Sequence, residues 1–231
     1  MADALIDTCL YRKRSTQQRC AARTVSSTMK NLPLSTNIFT TCAALSLSLM
    51  ASAEAQTIGK LQSKEFTSIN KQAQSTMSAI KPTDAPLSPA DQKLMTQVAT
   101  GGMMQLQMSV VAAKMATTPE VRAIAEAEVA EQTGLAAKLK ELTAAKKVTM
   151  PDKPDEKIQK MVANLQGKSS NEFDRAYLKQ SGVEGHELLK KTMETVASTA
   201  TDPALKAIAA ASLPLIKTHL QVAQDQLSAM K

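Results

Sequence analysis

After residue 88 the apolar positions recur at helical spacing. Leu94, Val98, Gly101, Gln105, Met108, Ala112 and Met115 fall three and four apart, and Val121, Ala125, Glu128, Gln132, Leu135, Leu139 and Leu142 continue the rhythm. Positions so spaced share one helix face, so the pattern predicts helices over about 89–116 and 119–146, each burying one stripe. Thr118-Pro119 punctuates them, because proline suits a first helical turn, and the short turn makes the pair an antiparallel hairpin. A third helix is expected from Ser169, whose spacing to Glu172 is that of a capping box, to about Ala200. A fourth starts at Asp202-Pro203 and runs to the C-terminus, completing a second hairpin. Pro214 within it removes one backbone donor and predicts a local kink.

Residues 147–168 join the hairpins and hold one short amphipathic segment, Ile158, Met161, Val162 and Leu165. A helix of about twelve residues plus ten extended ones spans roughly 50 Å, enough to run the ~40 Å length of a bundle. The pattern therefore predicts an all-α chain: a ferritin-like four-helix bundle over 88–231, with a long crossover carrying a short helix between the second and third helices. Ahead of it, Ile58, Leu61, Phe66, Ile69, Ala73, Met77 and Ile80 form a loosely amphipathic helix, followed by a linker with Pro82, Pro86 and Pro89. These make a separate segment, 56–87. Ser88 reads as the N-cap of the next helix, with Asp91 three residues on.

Composition agrees: aromatic residues are 2% of the chain and tryptophan is absent, which suits helices and disfavours sheets. The first 55 residues read as targeting. An apolar stretch from Ile38 to Met50 precedes Ala51-Ser52-Ala53-Glu54-Ala55, with small residues at −3 and −1 before Gln56. Thirteen residues reach only about 20 Å, short of the roughly 30 Å hydrocarbon core, so a cleaved signal peptide over 29–55 is expected rather than an anchor. Residues 1–28 then form an upstream extension, with Met29 as the natural start. Their arginines and serines suit a mitochondrial transit peptide, but Asp3, Asp7 and the small-residue site favour bacterial export. Periplasmic or outer-membrane-associated residence follows.

That cut changes the remaining chemistry. Cys9, Cys20 and Cys42 all precede it, and none follows a lipobox, so the mature chain is expected to be soluble, with no disulfide, thiolate centre or lipid anchor. Six of 28 basic and three of 21 acidic residues precede it too, leaving 22 against 18, or +4. Lysines interleave with acids and stacking aromatics are missing, so no nucleic-acid partner is expected. Peripheral membrane association through 56–80 and self-association stay open.

Both histidines fall on apolar stripes. His186 precedes Leu189, Met193, Val196 and Ala200, and His219 follows Leu205, Ile208, Ser212 and Leu215. Counted from the turn near Thr201 their heights differ by roughly 5 Å, one helical turn. Gln105, Gln132 and Glu128 lie at mid-bundle by the same count, so a polar layer is expected to cross the core. The favoured reading is a hydrogen-bonded layer that fixes helix register, with no resident cofactor. The alternative is a metal site using His186, His219 and Glu128, suited to zinc, copper, iron or nickel. No Glu-x-x-His string precedes either histidine, which argues against a di-iron oxidase. Met95, Met103, Met104, Met108 and Met115 spread over several turns, as core filler rather than a copper(I) site. With no nucleophile–base set, phosphate loop or paired catalytic carboxylates, an enzyme is not expected.

Gly101-Gly102-Met103, Pro119-Glu120-Val121-Arg122-Ala123, Glu172-Phe173-Asp174-Arg175-Ala176-Tyr177-Leu178, Glu184-Gly185-His186-Glu187, and Leu213-Pro214 followed by His219-Leu220 together resemble the bacterial domain of unknown function family 4142. The resemblance covers about 88–229. It implies a ferritin-like fold, export, a frequent outer-membrane label and a stress-related binding or structural role, with no established activity. Similar chains usually carry Glu near Gln105 and His near Gln132; this chain departs at both, which tells against an inherited metal site.

Overall fold

The computed structural model describes residues 57–230; the expected signal peptide, the upstream extension and the three cysteines lie outside them. The described chain is almost wholly helical. A two-rung antiparallel hairpin, β1 (Thr57–Ile58) and β2 (Leu61–Gln62), turns at Gly59, whose φ of 63° is the left-handed conformation glycine adopts without strain. Then come α1 (Ser63–Ala79), α2 (Pro89–Met115), α3 (Pro119–Lys146), α4 (Glu156–Gln166) and α5 (Ser170–Tyr177). A π-helical segment, Leu178–Gly185, leads without a break into α6 (His186–Thr199), and α7 (Pro203–Ala229) closes the chain.

Local chemistry accounts for most of the boundaries. Ser88 accepts from the Asp91 amide at 3.1 Å, Asp155 from Ile158 at 2.8 Å and Asp202 from Leu205 at 2.9 Å, each satisfying an amide that the first helical turn leaves unpaired. Ser169 departs from its expected capping box: its side chain makes no cap bond, and Glu172 pairs instead with Lys168 at 2.7 Å. The helix passes through Pro214 within a single α7.

α2 packs along α3, and the continuous α5–π–α6 helix packs along α7; α2 also meets α6, and α3 meets α7. α4, in the crossover, lies on α2 and α5. The buried apolar residues form two clusters. One contains Met95, Val98, Leu139, Leu189 and Ile208, the other Met108, Val121, Phe173, Tyr177 and Val222. On α2, α3 and α7 the inward positions between these clusters are polar. The methionines divide accordingly: Met95 and Met108 fill different clusters, while Met115 is exposed.

The turn of each hairpin, α2/α3 and α6/α7, is gripped by an aspartate from the opposite hairpin. Asp174 accepts from the Thr117 amide at 3.0 Å, the Thr117 hydroxyl at 2.7 Å and the Thr118 amide at 2.9 Å. Asp91 accepts from the same three groups of Thr201 and Asp202 at the other turn. α1 lies across α3 and α7 with Phe66 and Met77 turned inward, so its apolar side is covered by the protein itself. Lys138 donates to the Ser78 and Ile80 carbonyls at 3.2 and 2.7 Å, satisfying acceptors at the end of α1. The buried Lys146 ammonium, 2.7 Å from Asp202, donates also to the Thr83 and Ala85 carbonyls and so ties the proline-rich linker down.

Candidate metal centre

The polar layer is assembled from every long element. α3 supplies Glu128, Glu131 and Gln132, α2 supplies Gln105, α6 begins at His186, α7 supplies His219 and α1 supplies Asn70. Glu128 is its hub. One carboxylate oxygen, Oε1, lies 2.7 Å from His186 Nε2 and also accepts from His219 Nδ1. The ligand-capable atoms of Glu128, His186 and His219 all lie within 4.8 Å of one another, and all three side chains are buried. Glu131 Oε2 approaches His219 Nδ1 to 3.2 Å yet makes no well-directed hydrogen bond.

Each imidazole is held from outside. Asn70 donates through Nδ2 to the Phe66 carbonyl at 2.8 Å, which fixes the amide and turns its oxygen to His219 Nε2 at 3.0 Å. His219 therefore donates from Nε2 to Asn70. Its Nδ1 faces carboxylate oxygens, so with no ion present it also donates there and is an imidazolium. His186 Nδ1 lies 2.9 Å from the Ser181 carbonyl, five residues back across the wide π-helical turn. Gln105 braces this contact, donating to the same carbonyl at 3.0 Å and accepting from the Ser181 hydroxyl at 2.7 Å. The arrangement requires Gly185, since a Cβ there would stand 2.6 Å from Gln105 Oε1.

Electrostatics follow from burial. Burial pushes the Glu128 carboxyl up, but the charge and hydrogen bonds of the two imidazoles outweigh it and hold the group well below the usual carboxylate range. Burial, reinforced by the Glu128 charge, pushes Glu131 up. For His219 burial works against the charged form, yet the hydrogen bond to Glu128 and the close approach of Glu131 prevail and raise it to about 10; His186 is raised as well.

These shifts set a pH signature for the metal-free protein. A raised histidine pKa means that the folded form binds the proton more tightly than the unfolded chain. The resulting stabilisation is complete below about 6.5 and fades as the pH climbs through about 10. Urea unfolding with a chelator is expected to show stability declining from neutral pH towards pH 10. A profile level across that interval would mean that His219 is not held as an imidazolium.

The structure thus brings together Glu128, His186 and His219, with Gln105 braced against His186. Gln132 is placed at the edge of the layer: its Nε2 lies 3.4 Å from Glu128 Oε2, and its Oε1 is buried without a hydrogen bond. Sequence reasoning missed Glu131, Asn70 and Ser181. Glu131 could have been found, since an i,i+3 pair with Glu128 occupies one helix side. Asn70 sits on a helix whose apolar pattern is loose, and Ser181 acts through its backbone, which no side-chain pattern reports.

Fold and site define an all-helical protein with a buried carboxylate–histidine cluster. The chain belongs to the family described as domain of unknown function (DUF4142), whose model matches residues 76–226. All four acidic and imidazole members of the cluster fall within that stretch, whereas Asn70 precedes it. No curated protein and no solved structure matches the chain.

Proposed function

We propose that this is an exported, envelope-resident protein, a ferritin-like four-helix bundle that holds one divalent transition-metal ion through Glu128, Glu131, His186 and His219. The observation that carries the reading is the orientation of the two imidazoles. Each directs one ring nitrogen outward to an oxygen, Asn70 Oδ1 or the Ser181 carbonyl, and the other inward to the same carboxylate. Outer hydrogen bonds of this kind fix the tautomer of metal-binding histidines and orient the ring. Charge supports it too: two carboxylates offset a divalent ion, with both imidazoles neutral. Loading then exchanges the imidazolium protons, and the Glu131 proton wherever that group is neutral, for one cation, so affinity is expected to rise with pH.

Imidazole with carboxylate suits zinc, iron, copper or nickel. A paired-metal centre of the ferritin-like kind draws on a larger set of inward glutamates, so this donor set favours a single ion. Two hairpins joined by a crossover support the bundle reading, and the apolar 38–50 stretch with its small-residue site supports export.

The test is calorimetric titration of the untagged protein with zinc(II), alongside thermal melts. Wild type is expected to take one equivalent and to gain about 2.7 kcal/mol at a hundredfold excess over Kd. The His186→Gln/His219→Gln variant should lose both effects. A wild-type melt unmoved by zinc, iron, copper or nickel would leave the layer as a register-fixing hydrogen-bond network.

A further inference from the structure

A buried ion site needs a way in, and the cluster is sealed on most sides. Glu128, His186 and His219 expose none of their surface, whereas Glu131 exposes 8%. Glu131 also lines a cavity of about 380 Å³ between α1, α3 and α7, along with Ala73, Met77, Gly134, Ala211 and Leu215. That volume equals roughly a dozen waters at ~30 Å³ each, ample for a hydrated cation. Glu131 therefore borders the cavity, while its buried Oε2 lies 3.2 Å from His219 Nδ1.

One position in the wall of this cavity has room for a larger residue. A Cβ added at Gly134 would meet nothing within 4 Å, so no close neighbour requires glycine there. Glycine inside a helix costs roughly 1 kcal/mol relative to alanine, and what it provides here is open space next to Glu131. The second approach to the layer is less suited to a cation. A cavity between α2, α3 and residues 150–154 reaches Gln132, whose amide nitrogen, not a carboxylate, stands before Glu128.

We propose that the α1/α3/α7 cavity is the loading route of the buried site: a hydrated divalent cation enters there, is captured by Glu131 and passes from it to Glu128 and the histidines. This rests on the metal reading above. It assigns Glu131 a role in the rate of exchange as well as in holding the ion, and it makes Gly134 a determinant of access that touches no ligand.

Cobalt(II) is a suitable probe, with loading followed by stopped-flow absorbance and release followed after adding excess EDTA. Gly134→Leu places a side chain in the cavity from α3, and Ala73→Leu does so from α1. Both loading and release are expected to slow at least tenfold in each variant with Kd unchanged, because narrowing a passage alters the barrier and not the end states. Gly134→Ala should retain the wild-type rates, and so should Ala136→Leu, which narrows the other cavity. Should Gly134→Leu fail to fold, Ala73→Leu reports on the same passage from the facing wall. Wild-type protein that takes up no cobalt overturns the metal reading and the route with it. Tight cobalt binding with unaltered rates in the cavity variants leaves the metal site standing and overturns the route alone, as would slowing by Ala136→Leu in their place.

Discussion

Glu128→Gln is expected to lower the stability of the metal-free protein by about 3–5 kcal/mol, because it removes the anion between two buried imidazoles and leaves their charge uncompensated. Glutamine keeps the shape and accepts one hydrogen bond, so the loss reports charge rather than packing. The variant should also bind zinc far more weakly, since the carboxylate that both imidazoles face is lost. Urea unfolding with a chelator measures the first effect and calorimetry the second. A change below about 1 kcal/mol would show that the histidines are neutral in the native protein, contrary to the hydrogen bonding of His219.

Lys146→Met should have a comparable effect, again about 3–5 kcal/mol, by a different route. The ammonium is fully buried against an Asp202 side chain only 4% exposed, and it also satisfies linker carbonyls at Thr83 and Ala85. Without it, Asp202 is a buried anion left with neutral donors, the Leu205 amide and the Thr83 hydroxyl. Adding Asp202→Asn removes that charge while asparagine still caps α7, so the double variant is expected to recover more than half of the loss. Chemical denaturation of the two variants decides it; a double variant less stable than Lys146→Met alone would place the cost in the linker contacts instead.

Much of the architecture is legible in the sequence because a 3.6-residue period and proline or Asx caps are local signals. α3 spans Pro119–Lys146 as the pattern predicts, and α4 falls inside the expected crossover segment. The stripes are less accurate. On α2 the burial falls on Met95 and Gly102 where Leu94 and Gly101 were expected, a shift of one position within the same broad face. At the site, the inward placement of His186, His219 and Glu128 follows from periodicity. Their outer partners do not. Asn70 comes from a helix that docks by tertiary contact, and the Ser181 carbonyl becomes available through a π-helical turn, which has no strong sequence signature beyond the glycines at 182 and 185.

The reciprocal grip of Asp91 and Asp174 has a further consequence. Exchanging the hairpins maps Asp91 onto Asp174 and the turn Thr117-Thr118-Pro119 onto Thr201-Asp202-Pro203, as in a repeated unit. The two units differ in length by one: Asp91 to Thr117 is 26 residues, Asp174 to Thr201 is 27. The π-helical turn houses the surplus residue. One residue rotates an α-helix by about 100°, so the extra residue sets α6 in a different angular frame from α5 while both ends stay anchored. Across that turn the continuous helix presents Tyr177 to Ser109 on α2 and His186 to Glu128 on α3.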